Sequence, residues 1–278
     1  MPVVDPVRRK GARALIDPRA IIDPSARISD DVEIGPWTIV GPDVEIGDGC
    51  SIASHVVLNG PTRLGRNNRI FQFATVGDAT PAVVYKGEPT WLVVGDNNII
   101  REGVTIHRGT IQDKGKTIIG NDNLLMAYVH VAHDCVVGDH VIMANNAGLG
   151  GHVEVGDWAN FGGFAEVPPR RSIGAHAMIG GMSLVLKDVP AFVSVSGNPA
   201  SAVGINVIGL KRRGYSDEVI RTLKEAYRMV YRSGLSLEQA IERLRGCAEQ
   251  CSEVQAFVES IARSSVGIVR GRKGAERE

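Results

Sequence analysis

The sequence is poor in aromatic residues, which make up 5% of its 278 positions, and neither sign of charge is in excess. Lysine plus arginine equals aspartate plus glutamate, 31 against 31, so no bulk field favours nucleic acid. No run of 18 apolar residues occurs, which excludes a segment expected to insert in a membrane. The opening MPVVDPVRRKGARA is basic but lacks the apolar stretch of a secretory signal. Four cysteines (Cys50, Cys135, Cys247 and Cys251) make no disulfide framework in a chain this long, and a reducing cytoplasm is the expected setting. What is abundant is small or aliphatic: 33 glycines, with hydrophobic residues at 44%. That mixture suits tightly coiled β structure better than a helical bundle.

From Leu15 the chain divides into blocks of six: LIDPRA, IIDPSA, RISDDV, EIGPWT, IVGPDV, EIGDGC. The second letter is apolar each time (Ile16, Ile22, Ile28, Ile34, Val40, Ile46), and the series continues to Val76. It returns at Val94, Ile100 and Ile106, then runs again from Ile119 to Val185. An amphipathic helix repeats at three and four and a half-buried strand at two, so a period of six excludes both. It fits a parallel β-helix in which each hexad forms one short side and turns its second letter into the shaft. Three hexads close a coil of about 18 residues, and coils stack at ~4.8 Å, the ordinary strand spacing. Glycine often follows the inward letter, as at Gly35, Gly47 and Gly65, which suits corners that need dihedrals other residues avoid. Two stretches break the period, Pro81 to Trp91 and Ile111 to Thr117, and read as loops projecting from corners, where ligand contacts concentrate.

The period ends after Val189-Pro190. SDEVIRTLKEAYRMVYRSG has helical spacing, with Ser216 as N-cap and Gly234 as terminator. SLEQ at 236–239 and SEVQ at 252–255 read as capping boxes that open further helices. The expected organisation is a flexible extension over 1–14, a β-helix over 15–190, a helical domain over 191–270 and a disordered tail over 271–278.

The hexad HVAHDC holds His130, His133 and Asp134. His152, in GLGGHV, follows one coil later, and His107, in TIHRGT, precedes them across the second loop. Three readings are open. The histidines are solvated corner residues; or they bind a metal, for which zinc would want three or four converging ligands; or one is a general base. A neutral imidazole takes a proton from a hydroxyl near neutral pH, and a neighbouring carboxylate fixes its tautomer. The Gly150-Gly151 pair can aim a bare N–H at a developing oxyanion. These are the parts of acyl transfer, with neither metal nor cofactor expected.

Longer stretches carry a resemblance. IGPWTIVGPDVEIG, SHVVLNGPTRLG, IREGVTIHRGT, HVAHDC, ANNAGLGGHV and GLKRRGYS together resemble the UDP-N-acetylglucosamine O-acyltransferases that begin lipid A synthesis, and the likeness runs from about residue 22 to about Arg270. It implies a left-handed parallel β-helix with a small α-helical C-terminal domain. It also implies a cytoplasmic homotrimer with sites between neighbouring shafts, which moves a β-hydroxyacyl group from acyl carrier protein to the 3-hydroxyl of a UDP-sugar. By the same resemblance His133 is the general base, Asp134 its partner and Gly151 the oxyanion donor. His107, His130 and His152 line the substrate groove, and Asn206, Arg212 and Arg213 meet the nucleotide and its phosphates. Gly181 and Met182 bound the acyl-chain groove.

The chain also departs from the family pattern. Pro81-Ala82-Val83-Val84 replaces a segment with an acid and a lysine that hold the sugar, Pro168-Pro169-Arg170 replaces His-Gln-Phe, and Ile208 replaces a glutamate near the nucleotide. These changes raise two other readings. One is acylation of a variant UDP-sugar, such as N-acylation of a diamino sugar; the other is a catalytically silent trimeric scaffold that binds acyl carrier protein or a sugar nucleotide.

Overall fold

The computed structural model describes residues 15–271. The expected extension over 1–14 and the tail from 272 lie outside the described residues. Every third hexad falls on the same side of a triangular shaft. The first face runs from Leu15–Ile16 to Met178–Ile179, the second from Ile21–Ile22 to Glu166–Val167, and the third from Arg27–Ile28 to Ser172–Ile173. Successive coils pair in parallel and in register: His130 lies beside Thr105 and Gly148, and Gly148 beside Glu166. The architecture is a left-handed parallel β-helix followed by a small helical domain.

The core follows from the hexad. Second letters such as Ile34, Leu58, Ile106, Val131 and Leu149 are at most 2% exposed, and sixth letters such as Val32, Cys50 and Val56 are buried beside them. In the lowest described coil Ile16 is 39% exposed, because no described coil lies beneath it. Polar residues enter the shaft as a ladder. Asn68 Oδ1 accepts from Asn98 N and Nδ2, and Asn98 Oδ1 accepts from Asn123 N, so the amides pair from coil to coil, with Asn123 Nδ2 at the end of the ladder left without a partner.

The corners correct one expectation. Among the glycines that follow the inward letter, only Gly77 takes a positive φ, of 82°. The others are short of space: a Cβ on Gly35 would lie 2.7 Å from Ser54 N in the next coil. The left-handed conformation belongs to the fifth letter, where Trp37, His55, Phe73, Asp134 and His152 all have φ between 57° and 64°. Stacked corners hold these residues in a region that is normally costly outside glycine. Three columns result. Trp37, His55, Phe73, Tyr128, Phe164 and Met182 follow the first face; Asp134, His152 and Arg170 the second; His140, Trp158 and His176 the third.

Both loops are present, with strands resuming at Trp91 and at Lys116, slightly earlier than the broken period suggested. Beyond the shaft a hairpin, Val193–Ser196 against Ser201–Ile205, leads to α1 (Val207–Arg212), α2 (Asp217–Tyr231), α3 (Leu237–Gln250) and α4 (Ser252–Ala262). Ser216 caps α2, and Ser236 with Gln239 forms the capping box of α3. SEVQ forms no box: Ser252 is already helical, Cys251 is the cap, and its side chain makes no capping bond. Ile220, Leu223, Tyr227 and Val230 bury one side of α2 in the same core cluster as the shaft.

Candidate active site

The second corner brings the HVAHDC residues together. His133 Nδ1 lies 2.8 Å from Asp134 Oδ2. Asp134 has no exposed surface, and its carboxylate also accepts from Thr110 N at 2.9 and 3.0 Å and from Thr110 Oγ1 at 2.6 Å. Because the carboxylate accepts, His133 carries its proton on Nδ1 and leaves Nε2 as the basic atom. The left-handed φ of Asp134 turns its side chain inward beneath the second loop, while its own N–H donates to Thr117 Oγ1. Thr110 and Thr117, one on each flank of that loop, therefore fix the acid.

Gly151 lies against the free side of the same imidazole. A Cβ there would be 2.6 Å from His133 Cε1 and 2.7 Å from Nε2. Gly151 is a fourth letter, a position whose N–H, Arg108 apart, finds no backbone acceptor, and for that reason proline is tolerated there at Pro18, Pro24, Pro36 and Pro42. Among the described residues no group accepts the Gly151 N–H, so the glycine packed against the imidazole keeps an uncommitted donor.

The other histidines form two edge-to-face pairs. His152 meets His133 at 4.9 Å between ring centroids, and its Nδ1 is 2.8 Å from Asp113 Oδ2, a second-loop acid that the hexad pattern does not single out. His107 meets His130 at 5.2 Å on the second face, and His130 Nδ1 is 2.8 Å from Thr105 Oγ1. Burial lowers the pKa of both His107 and His130, and the neighbouring histidines lower it further. Both therefore stay neutral at pH 7 and present hydrogen bonds instead of charge. Cys135, next to Asp134, is not a nucleophile: burial pushes its thiol up to about 12, and Sγ donates to Gly150 O.

A ring nitrogen of His133, one of His152 and a carboxylate oxygen of Asp134 lie within 4.8 Å of one another, which is the one grouping among the described residues that a cation could draw together. Both Asp134 oxygens are already engaged, Oδ1 by the Thr110 N–H and Oδ2 by the Thr110 hydroxyl and His133 Nδ1.

Asn206, Arg212 and Arg213, which the resemblance assigns to the nucleotide, lie elsewhere on the chain, near the third corner. Asn206 caps α1, accepting from Gly209 N and donating to His176 O, so its side chain holds the helix that carries the arginines. Arg213 donates to Trp158 O at 2.9 Å and lies 5.1 Å over that indole, while Arg212 is exposed. His176, which the sequence reading did not single out, stacks on Phe192 and lies 3.1 Å from Tyr215 Oη. Burial, with Arg213 adding to it, lowers its pKa to about 4. Gly181 and Met182 are exposed on the first corner, Met182 at 69%. Among the departures, Val83, Val84 and Ile208 are exposed apolar side chains, and Arg170 Nη2 lies 3.5 Å from His152 Nε2. In a single chain, then, His133, Asp134 and Gly151 converge, but Arg212 and Arg213, and Gly181 and Met182, sit at other corners.

Comparison with known proteins supplies the family. Residues 188–269 match the model of UDP-N-acetylglucosamine O-acyltransferase domain 2, and residues 25–60 and 116–151 match the bacterial transferase hexapeptide. The acyl-[acyl-carrier-protein]–UDP-N-acetylglucosamine O-acyltransferase of Saccharophagus degradans is 57% identical over 225 residues, 81% of this chain and 87% of that protein. The solved UDP-N-acetylglucosamine O-acyltransferase of Moraxella catarrhalis superposes with a TM-score of 0.91 at 47% identity, covering 92% of this chain and 100% of the other. LpxA from Acinetobacter baumannii superposes at 0.90 with 51% identity and the same coverage. With a hexapeptide shaft, a matched C-terminal domain and an imidazole–carboxylate pair beside a free glycine N–H, the chain belongs to the UDP-N-acetylglucosamine O-acyltransferase family.

Proposed function

We propose that this protein transfers a β-hydroxyacyl group from acyl carrier protein to the 3-hydroxyl of UDP-N-acetylglucosamine, the opening reaction of lipid A synthesis. The observation that carries the reading is His133 Nε2 facing Gly151, with Asp134 buried behind the ring. Nε2 removes the sugar hydroxyl proton as the oxygen attacks the thioester carbonyl, and the Gly151 N–H receives the oxyanion. Collapse expels the carrier thiolate, which takes back the proton from the imidazolium. Asp134 holds the tautomer and stabilises that imidazolium without being protonated. No step calls on a metal or cofactor.

The ordinary acceptor is favoured over a variant sugar because curated relatives at 56–57% identity carry that acceptor in their names. Nucleotide binding falls to Arg212 and Arg213, whose forked donors suit a diphosphate, with Asn206 beneath them. His107, His130 and His152 flank the sugar, and Gly181 and Met182 the acyl chain.

A homotrimer completes the site. The first corner exposes Trp37, Phe73, Tyr128, Phe164 and Met182, and Ile39 and Ile142 extend the apolar surface on the adjoining faces. A cyclic assembly covers such a column and sets the second corner of one chain beside the arginines of the next. The setting is cytoplasmic, where acyl carrier protein is the donor. Incubation with β-hydroxyacyl carrier protein and UDP-N-acetylglucosamine should yield the acylated sugar nucleotide by mass. Light scattering should give three times the 29.7 kDa chain; a monomer with full activity would overturn the shared site, and binding without any product would favour the silent scaffold.

A further inference from the structure

The second face carries an acid that the acyl-transfer chemistry above does not use. Glu166 opens its strand with its side chain on the outer surface, above Gly148 and two coils above His130. A Cβ on Gly148 would overlap the Glu166 carboxyl, so that group folds back onto the bare backbone of the coil below. Gly148 is buried beneath it. Glu166 is an exposed residue, but its carboxyl lies against the coil below, and that partial covering holds it above its ordinary pKa; among the described residues no donor or cation meets it. A carboxyl without a partner is costly to strip of water, and a hydrocarbon laid on it would remove the water that it keeps.

Its position relates it to the acyl path. Gly181 lies one coil above Gly163, and Glu166 follows Gly163 by three residues. Arg170 N bonds to Gly151 O, placing Gly151 one coil below Pro169, which follows Glu166 by three. Glu166 is therefore midway, both along the strand and up the shaft, between the oxyanion donor and the groove glycine. We propose that Glu166 is a specificity residue whose carboxyl, seated on Gly148, interrupts the acyl groove and restricts the donor to short β-hydroxyacyl chains. The inference rests on the acyl-transfer reading and on a chain that runs from Gly151 toward Gly181. Three residues of strand span roughly 10 Å, which an extended alkyl chain covers in about eight carbons.

The test is kcat/KM for β-hydroxyacyl carrier proteins of four to fourteen carbons, roughly one methylene pair at a time, each methylene otherwise contributing about fourfold in binding. The native protein should decline beyond about eight carbons. Glu166→Leu should raise the ratio of twelve-carbon to six-carbon activity at least about tenfold, since apolar surface replaces the acid. Glu166→Gln, which keeps shape and loses charge, should fall between. A uniform loss across all lengths would mark a structural role and overturn the proposal, as would a native preference for twelve carbons or more. Activity with an unchanged length profile in Glu166→Leu overturns this inference alone. Absence of transfer for every chain length overturns the acyl-transfer reading and this inference with it.

Discussion

The adjacent glycines Gly150 and Gly151 should fail in opposite ways when each is replaced by alanine. At Gly151 the new methyl would sit 2.6 Å from His133 Cε1 and 2.7 Å from Nε2. Ordinary carbon contacts need about 3.5 Å or more, so the ring must retreat by roughly 1 Å. Such a retreat strains the 2.8 Å bond to Asp134 and withdraws Nε2 from the hydroxyl it must deprotonate. A misplacement of about 1 Å costs on the order of 10²-fold, and loss of an oxyanion donor about 10²–10³-fold. Stability should change little, because the obstacle is a side chain that can move and Gly151 does not have a positive φ. At Gly150 the methyl meets Pro169 N at 2.6 Å and Pro168 C at 3.0 Å, and backbone clamped in the next coil cannot retreat. Gly150→Ala should therefore lower Tm by several degrees, on the scale of about 1–3 kcal/mol of overpacking. Paired measurements of kcat/KM and thermal unfolding decide the matter. Activity in Gly151→Ala within about fivefold of native would refute a base and donor meeting at one point.

Three further outcomes are expected. His133→Ala should lose about 10²–10⁴-fold in kcat while light scattering still reports the assembled species. Thr110→Val removes the hydroxyl that donates to the buried Asp134 carboxylate, and should cost about 1.5–3 kcal/mol in denaturant unfolding along with activity. His176 is held neutral in the fold, its pKa lowered from 6.5 to about 4. A depressed value means the unfolded chain binds the proton first, so this contribution is complete above pH 6.5 and is lost as pH falls toward 4. After discounting for its exposed edge it amounts to about 1–2 kcal/mol, and His176→Phe should flatten the Tm profile across that window; an equal slope in both proteins would assign the acid sensitivity to other groups.

The shaft was legible because one letter in six must be apolar to fill it, and nothing in an α-helix or hairpin imitates that period. Glycine misled for a physical reason: at Gly35 it answers to crowding by the next coil, and the left-handed turn falls two letters later on residues as large as Trp37. The HVAHDC pair was legible because base and acid are neighbours in the chain. Thr110 and Asp113 were not, since they reach the site from an aperiodic loop, 24 residues before Asp134 and 39 before His152. His176 escaped notice because its environment is built by Phe192, Arg213 and Tyr215, which follow it by 16 to 39 residues and converge only in the fold. Ser252 shows the limit of a capping motif, whose letters fit a box while the helix begins one residue too early.

The corner columns make this protein a counting device. Every functional side chain is addressed by two coordinates, its letter within the hexad and its coil number, so insertions act by arithmetic. Removing a whole coil of three hexads from below the site, such as residues 33–50, would shorten the shaft by one strand spacing and return every later residue to its own face. Removing a single hexad would turn everything after it by a third of a revolution, with the buried letters still buried. His133 would then keep its acid and its glycine but sit a third of a turn from its native place above the lower coils: a folded shaft, correctly packed, aimed the wrong way.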